Sequence, residues 1–188
     1  MQFNSRLYVL RRIKTKTLKM NRIKILSTLV CMMFFINASY SQATATATAS
    51  ATIVTPISIS KTADLSFGNI AVQSTTGGTV VLAPAGSRTS TSGVTLPATA
   101  GTVTAASFTV SGTSSYTYAI TLPTTSTLTR ASGTETMVAS SFTSNPSGTG
   151  TLTSGTQSIS VGATLTVAAA QVAGTYTSGN FSVTVNYN

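Results

Sequence analysis

The sequence predicts an all-β protein, a sandwich or a barrel, behind an export signal. Residues 42–188 hold all 14 glycines and 35 threonines, and β-branched threonine favours strands over helices. Gly-Thr and Ser-Gly pairs interrupt the apolar runs about every 8–12 residues, the rhythm of short strands in a closed or layered sheet. The final run alternates strictly. Phe181, Val183, Val185 and Tyr187 fall on one parity, and Asn180, Ser182, Thr184, Asn186 and Asn188 on the other. That period of two gives one apolar and one polar face, as in a half-buried strand. The stretch Val161–Asn188, with V-G-A-T-L-T-V at its start, reads as the part around which the sheet is organised.

Charge separates the head of the chain from its body. The net charge is +9, but eight of the eleven Lys/Arg lie in the first 24 residues: Arg6, Arg11, Arg12, Lys14, Lys16, Lys19, Arg22 and Lys24. From Gln42 onward only Lys61, Arg88, Arg130, Asp64 and Glu135 remain, 3 − 2 = +1. A nucleic-acid face would need clustered cations in the folded part, so no nucleic-acid partner is expected. Ile25–Ile36 is an apolar run that follows the basic region. It is shorter than the about 20 residues a bilayer span needs. Small residues lead from it to Ser41, which predicts a secretory signal peptide over 1–41 with cleavage before Gln42. Met20 followed by N-R-I-K would start an ordinary signal, so residues 1–19 read as an upstream start assignment. Cys31, the one cysteine, sits inside the apolar run rather than after small residues. Lipidation is not expected there, and the processed chain would have neither a disulfide nor a thiolate metal site. No membrane span is expected in it either.

Residues 42–188 are long enough for one domain with its own core. The division expected is an extended Ala/Thr segment over 42–52 and a single domain over 53–188. In that segment Ala43, Ala45, Ala47, Ala49 and Ala51 share the parity of Ile53, Ile57 and Ile59, with Thr44, Thr46, Thr48, Ser50 and Thr52 on the other. Five buried methyls would contribute roughly 4 kcal/mol. Ordering ten residues costs about 1–2 kcal/mol each. Residues 42–51 therefore do not hold themselves down by side chains; they pair with a sheet edge or stay loose. Ile53–Ile59, with larger side chains, is expected as a strand, and Pro56 suits an edge or bulge there.

Further along, Leu65 and Phe67 share a face and Gly68 marks a bend. Val80–Leu82 is a strand, and residues 84–102 read as a loop with a minor strand at Val94–Leu96. Phe108 and Val110 precede Ser111-Gly112-Thr113-Ser114, and Tyr116, Tyr118, Ile120 and Leu122 follow, stopped by Pro123. This is the strongest hairpin pattern in the chain. Met137–Phe142 is a weaker strand, and Asn145-Pro146-Ser147-Gly148 is a turn. Leu152, Ile159, Val161, Leu165 and Val167 lead to the final strand. Val167–Val172 is the one stretch suited to a short helical turn.

The order L-S-F-G-N-I, F-T-V-S-G, Y-T-Y-A-I-T-L-P, V-G-A-T-L-T-V and G-T-Y-T-S-G-N-F-S-V-T-V-N-Y resembles the bacterial secreted family called domain of unknown function 4402, over about residues 43–188. That family is similar in outline to spore coat protein U and to pilin-type immunoglobulin-like subunits. The resemblance implies an immunoglobulin-like, pilin-like β-sandwich outside the cell that polymerises by strand donation. Its motifs are fold motifs and carry no chemistry. Spore coat and usher pilins often carry a disulfide, which residues 42–188 cannot form.

Reactive side chains are scarce. The chain has no histidine, and Asp64 and Glu135 are its only carboxylates. A glycosidase pair would need them about 5–10 Å apart, and isolated carboxylates are normally surface groups. A Ser or Thr nucleophile would lack a base other than Lys61, the terminal amine or these carboxylates, and no oxygen cluster suits a hard metal. No catalytic, cofactor or metal residue is assigned. Tyr116 and Tyr118 alternate along one strand; an exposed pair would stack on sugar rings, while the plainer reading is core filling with tethered hydroxyls. Tyr176 is a candidate tyrosine corner. Asn180-Phe181-Ser182 fits the glycosylation pattern, but Phe181 is better explained as core. Thr and Ser faces would offer hydroxyl arrays to polysaccharide or ice, or form cross-strand pairs on a solvated sheet.

The expectation is a secreted, non-enzymatic structural or surface protein that joins copies of itself by β-strand addition. The donor would be Ala43, Ala45, Ala47, Ala49, Ala51, Ile53, Ile57 and Ile59. The alternative is a glycan-binding or adhesive module built on Tyr116 and Tyr118.

Overall fold

A computed structural model describes residues 22–32 and 41–188. The chain divides into two units, Met1–Ala51 and Thr52–Asn188. In the first, residues 22–32 form an exposed helix, and residues 41–51 are exposed and belong to no strand. Among the described residues no helix is long and apolar enough to cross a membrane. The rest of the signal-peptide assignment, residues 1–21 and 33–40, lies outside the described residues.

The second unit is antiparallel β throughout. Its centre is β11 (Thr156–Val167), 12 residues long. One edge of β11 pairs first with β6 (Ala106–Ser111) and then with β3 (Gly78–Leu82); the other pairs with β9 (Thr136–Asn145). β1 (Ser58–Ala63) borders β6, β4 (Arg88–Ser92) borders β3, and β8 (Thr125–Arg130) then β12 (Tyr176–Ser178) continue beyond β9. These make one eight-stranded sheet. A second sheet has the order β10 (Thr149–Thr151), β7 (Thr117–Thr121), β13 (Thr184–Tyr187), and β2 (Ala71–Val72) pairs with β5 (Val94–Thr95).

Alternation along β11 builds two cores. Its first half, Ile159 and Val161, packs with Phe108 and Val110 of β6, Tyr118 of β7, Val185 of β13 and Leu152, just after β10. Its second half, Ala163, Leu165 and Val167, packs with Val80 and Leu82 of β3, Ala139, Phe67 and Val94. Leu65 and Phe142 touch both clusters. Each fully buried Leu, Ile or Val stabilises the fold by about 1.5–3 kcal/mol relative to exposure. β9 serves both cores because of a bulge: Gly162 faces Thr143 while Thr164 faces Ser140, and Ser141 takes φ 49°. The extra residue moves the inward parity from Met137 and Ala139 to Phe142 and Ser144.

Residues 84–102, read as a loop with one minor strand, hold β4 as well as β5, and three further expectations are corrected. The strand placed at Ile53–Ile59 begins only at Ser58, because Pro56 has no N–H and the backbone of Thr55 is bonded elsewhere. The pattern around Ser111–Ser114 is no hairpin: β6 pairs with β1 and β11, and β7 with β10 and β13. The loop crosses from one sheet to the other. Alternation reports which face is apolar, not which strand lies alongside. Val167–Val172 forms no helical turn; after β11 the chain bends, with Ala170 at φ 52°.

Candidate functional site

The segment proposed as a donor divides at Thr55. Residues 41–53 are all exposed and outside any strand, with Ile53 at 96% exposure. Ile57 and Ile59 are half-buried against the core of their own chain, and Ile59 faces Val110 within the β1–β6 ladder. These two isoleucines are therefore already in use, and the free part of the segment is its Ala/Thr half.

Thr55 is the anchor between the two parts. Its N–H donates to Thr113 Oγ1 at 2.9 Å, and its carbonyl accepts from the Tyr187 hydroxyl at 2.8 Å. That hydroxyl also accepts from the Thr113 N–H at 2.7 Å. Gly112 makes room for it, since a Cβ there would stand 2.2 Å from the Tyr187 oxygen. The last strand, the β6–β7 crossover and the start of β1 meet at one phenol.

The two tyrosines proposed for stacking part company. Tyr118 is fully buried (0% exposed), and its hydroxyl donates to Gln157 Oε1 at 2.8 Å. Burial raises its pKa above the ordinary 10.0. Tyr118 therefore offers no face to a sugar; it is a core residue with a satisfied polar tip. Tyr116 is 44% exposed and meets Tyr187 edge-to-face at 5.5 Å. One ring remains exposed where the stacking reading needs two, and Tyr118 follows the plainer reading of core filling with a tethered hydroxyl.

The carboxylates occupy separate ion pairs, Lys61–Asp64 at 2.6 Å and Arg130–Glu135 at 2.6 Å. The hydrogen bond from Arg130 lowers the Glu135 pKa, and the same bond raises that of Arg130. Asp64 follows Ala63, which sits level through Ser107 and Ser160 with Asn145, the last residue of β9. Glu135 precedes Thr136, the first residue of β9. At about 3.3 Å per residue the two acids are roughly 30 Å apart along the strands. They cannot flank one scissile bond. Among the described residues no group of three His, Cys, Asp or Glu comes together.

The L-S-F-G-N-I motif is a structural knot. Ser66 and Thr104 exchange backbone bonds of 2.8 and 3.0 Å, and Asn69 N–H donates to Ala100 O at 2.7 Å. Gly68 takes φ +67°, where a Cβ would lie 2.3 Å from Ala100 O. Arg88 of β4 folds over the motif and donates to the carbonyls of Phe67 and Asn69. Tyr176 behaves as a corner residue, its hydroxyl donating to Val172 O at 2.7 Å. Phe181 packs on Phe142 at 5.3 Å, beside a shallow groove of about 350 Å³ bordered by Pro123, Ser126 and Asn180. The roles of Arg88, Gln157 and Thr113 had no sequence pattern to mark them. An isolated arginine in an otherwise uncharged stretch was the one available sign.

Fold and site together define an antiparallel all-β protein whose motifs hold the backbone in place and whose residues 41–53 are exposed and pair with no strand among the described residues. Residues 57–187 match the family model described as Domain of unknown function (DUF4402), and the chain belongs to that family. No curated protein and no solved structure matches the chain.

Proposed function

We propose that the chain is an exported, non-enzymatic structural protein of the cell surface or extracellular matrix, reaching it through the periplasm, and that it self-associates by β-strand addition. In this reading residues 53–188 form an immunoglobulin-like β-sandwich, similar in outline to spore coat protein U and pilin-type subunits. The observation that carries it is the state of residues 41–53: exposed, outside every strand, uncharged, and alternating Ala with Thr or Ser over 43–51. Such a segment has a full set of main-chain donors and acceptors and too little apolar surface to fold alone. Laid along an open sheet edge it gains a hydrogen-bond ladder, the source of affinity in strand addition.

Size-exclusion chromatography and electron microscopy of the full chain against a variant lacking 42–51 test this. Concentration-dependent assembly of the full chain alone is expected. Equal behaviour of the two at all concentrations refutes it. The second reading, a glycan-binding module, draws on the exposed ring of Tyr116. A glycan array compared with Tyr116→Ala decides it.

A further inference from the structure

Resting on the strand-addition reading, we propose that the acceptor edge is β4, and that its occupant is the Ala43–Ala51 segment of a second copy of this chain.

The open edges differ in how they are defended. β1 carries the exposed Lys61–Asp64 pair and a register break between Lys61 and Ala63, two devices that discourage edge pairing. β10 and β12 are three residues each. β13 meets the start of β1, where Tyr187 holds Thr55. β4 has five residues, R-T-S-T-S, in unbroken register with β3 and with no second partner among the described residues. Its one charge, Arg88, is turned onto the carbonyls of Phe67 and Asn69. No outward-turned charge, proline or register break guards this edge, which ends at Ser92 with φ 54°.

Its backbone faces outward at known positions. Ala83 N–H donates to Ser87 O and Gly93 N–H to Gly77 O. With the register Val81↔Thr89 and Thr79↔Thr91, the hydrogen-bonded pairs on the β3 side are those of Ser87, Thr89, Thr91 and Gly93. The N–H and C=O groups of Arg88, Ser90 and Ser92 therefore point away from β3. Side-chain chemistry matches too. Thr79 and Thr91 already share a hydroxyl–hydroxyl bond of 2.7 Å across the ladder. A donor presenting Thr44, Thr46 and Thr48 on that face would extend the row, as cross-strand Thr pairs do. Its alanines would lie level with Ser90 and Ser92 on the other face, where no large pocket has to be filled. Residues 42–60 carry no charge, so the donor brings no ion that would have to be desolvated.

Reach requires a second copy. β1 and β11 run the same way, since both are antiparallel to β6. Thr55 lies three residues before Ser58, which is level with Thr156, while Ser90 is level through Val80 with Leu165. That is about twelve residue steps, roughly 40 Å along the strands. The chain from Thr55 back to Ala47 spans at most about 29 Å when fully extended. The middle of the segment cannot reach its own β4.

The test uses the full chain, exported from a secreting host. Ser90→Pro removes one outward N–H and no β3 bond, a substitution edge strands accept. It is expected to raise the concentration at half-assembly at least tenfold while circular dichroism and the melting midpoint stay those of the parent. Amide exchange on the unmodified chain supplies an independent measurement. The amides of Ser90 and Ser92 slow on assembly, whereas those of Thr89 and Thr91 are protected in monomer and assembly alike. If the variant lacking 42–51 fails to assemble but Ser90→Pro assembles like the parent, or if Ser90 and Ser92 exchange equally fast in both states, β4 is the wrong edge and strand addition stands. If the full chain never assembles, or assembles without 42–51, both proposals fall.

Discussion

The two cores along β11 are closed by different means. Over the first half, a second sheet supplies the cover, and its inward phenol, Tyr118, is satisfied by Gln157 from β11 itself. Over the second half, the cover includes the short β2–β5 pair and the loop residues 65–70, held by Arg88 and by the Gly68 turn. One lid is ladder, the other is loop fastened at a few points. A sheet lid spreads its stabilisation over many bonds, so single polar changes in it should matter little. A fastened loop concentrates it, so the loss of one fastener should matter more.

The largest expected effect treats the halves alike. Leu152→Ala in the first core and Leu165→Ala in the second should each cost about 2–5 kcal/mol in urea unfolding, since both side chains are fully buried. A single transition in both variants means that β11 couples the cores; two transitions in either would show that they unfold separately. Next come the fasteners. Arg88→Met leaves two backbone carbonyls of the 65–70 loop without their charged donor and should cost about 1.5–3 kcal/mol. Tyr187→Phe, on the sheet side, should cost about 1 kcal/mol. If Tyr187→Phe proves the costlier, the contrast between the lids is reversed.

The smallest effect is electrostatic. The folded-state pKa of Glu135 lies below the ordinary 4.5, chiefly through the hydrogen bond from Arg130. The stability from this pair is thus whole above pH about 4.5 and is lost as pH falls through the lower folded value. Glu135→Gln should melt slightly below the parent at pH 7, and the difference should narrow as pH falls below about 4.5, as thermal melts across that range will show.

The sequence made the class of fold legible through the parity of Phe108 and Val110, of Ile159 and Val161, and of Val183 to Tyr187. Parity fixes which side chains go inward, and these did. Strand partners were not legible, because sheet neighbours such as β11 and β3 are far apart in sequence and nothing local encodes their pairing. The Ser111–Ser114 crossover looked like a hairpin for that reason. β4, β8 and β12 passed unseen since Thr and Ser fill both faces and leave little apolar contrast. For the candidate site, composition alone left residues 42–51 either paired with an edge or loose, and it could not say which; they are exposed and outside any strand. That Ile57 and Ile59 serve their own core, and that Tyr118 is sealed, depended on tertiary contacts no short window contains.

The bulge at Ser141 makes β9 a strand with two phases. Removing that one residue would bring the halves into a single phase, so that either Met137 and Ala139 or Phe142 and Ser144 would turn to water. Length changes in this strand are therefore tolerable outside the bulge only in steps of two, and the position of one serine keeps a single ribbon facing inward along its whole course.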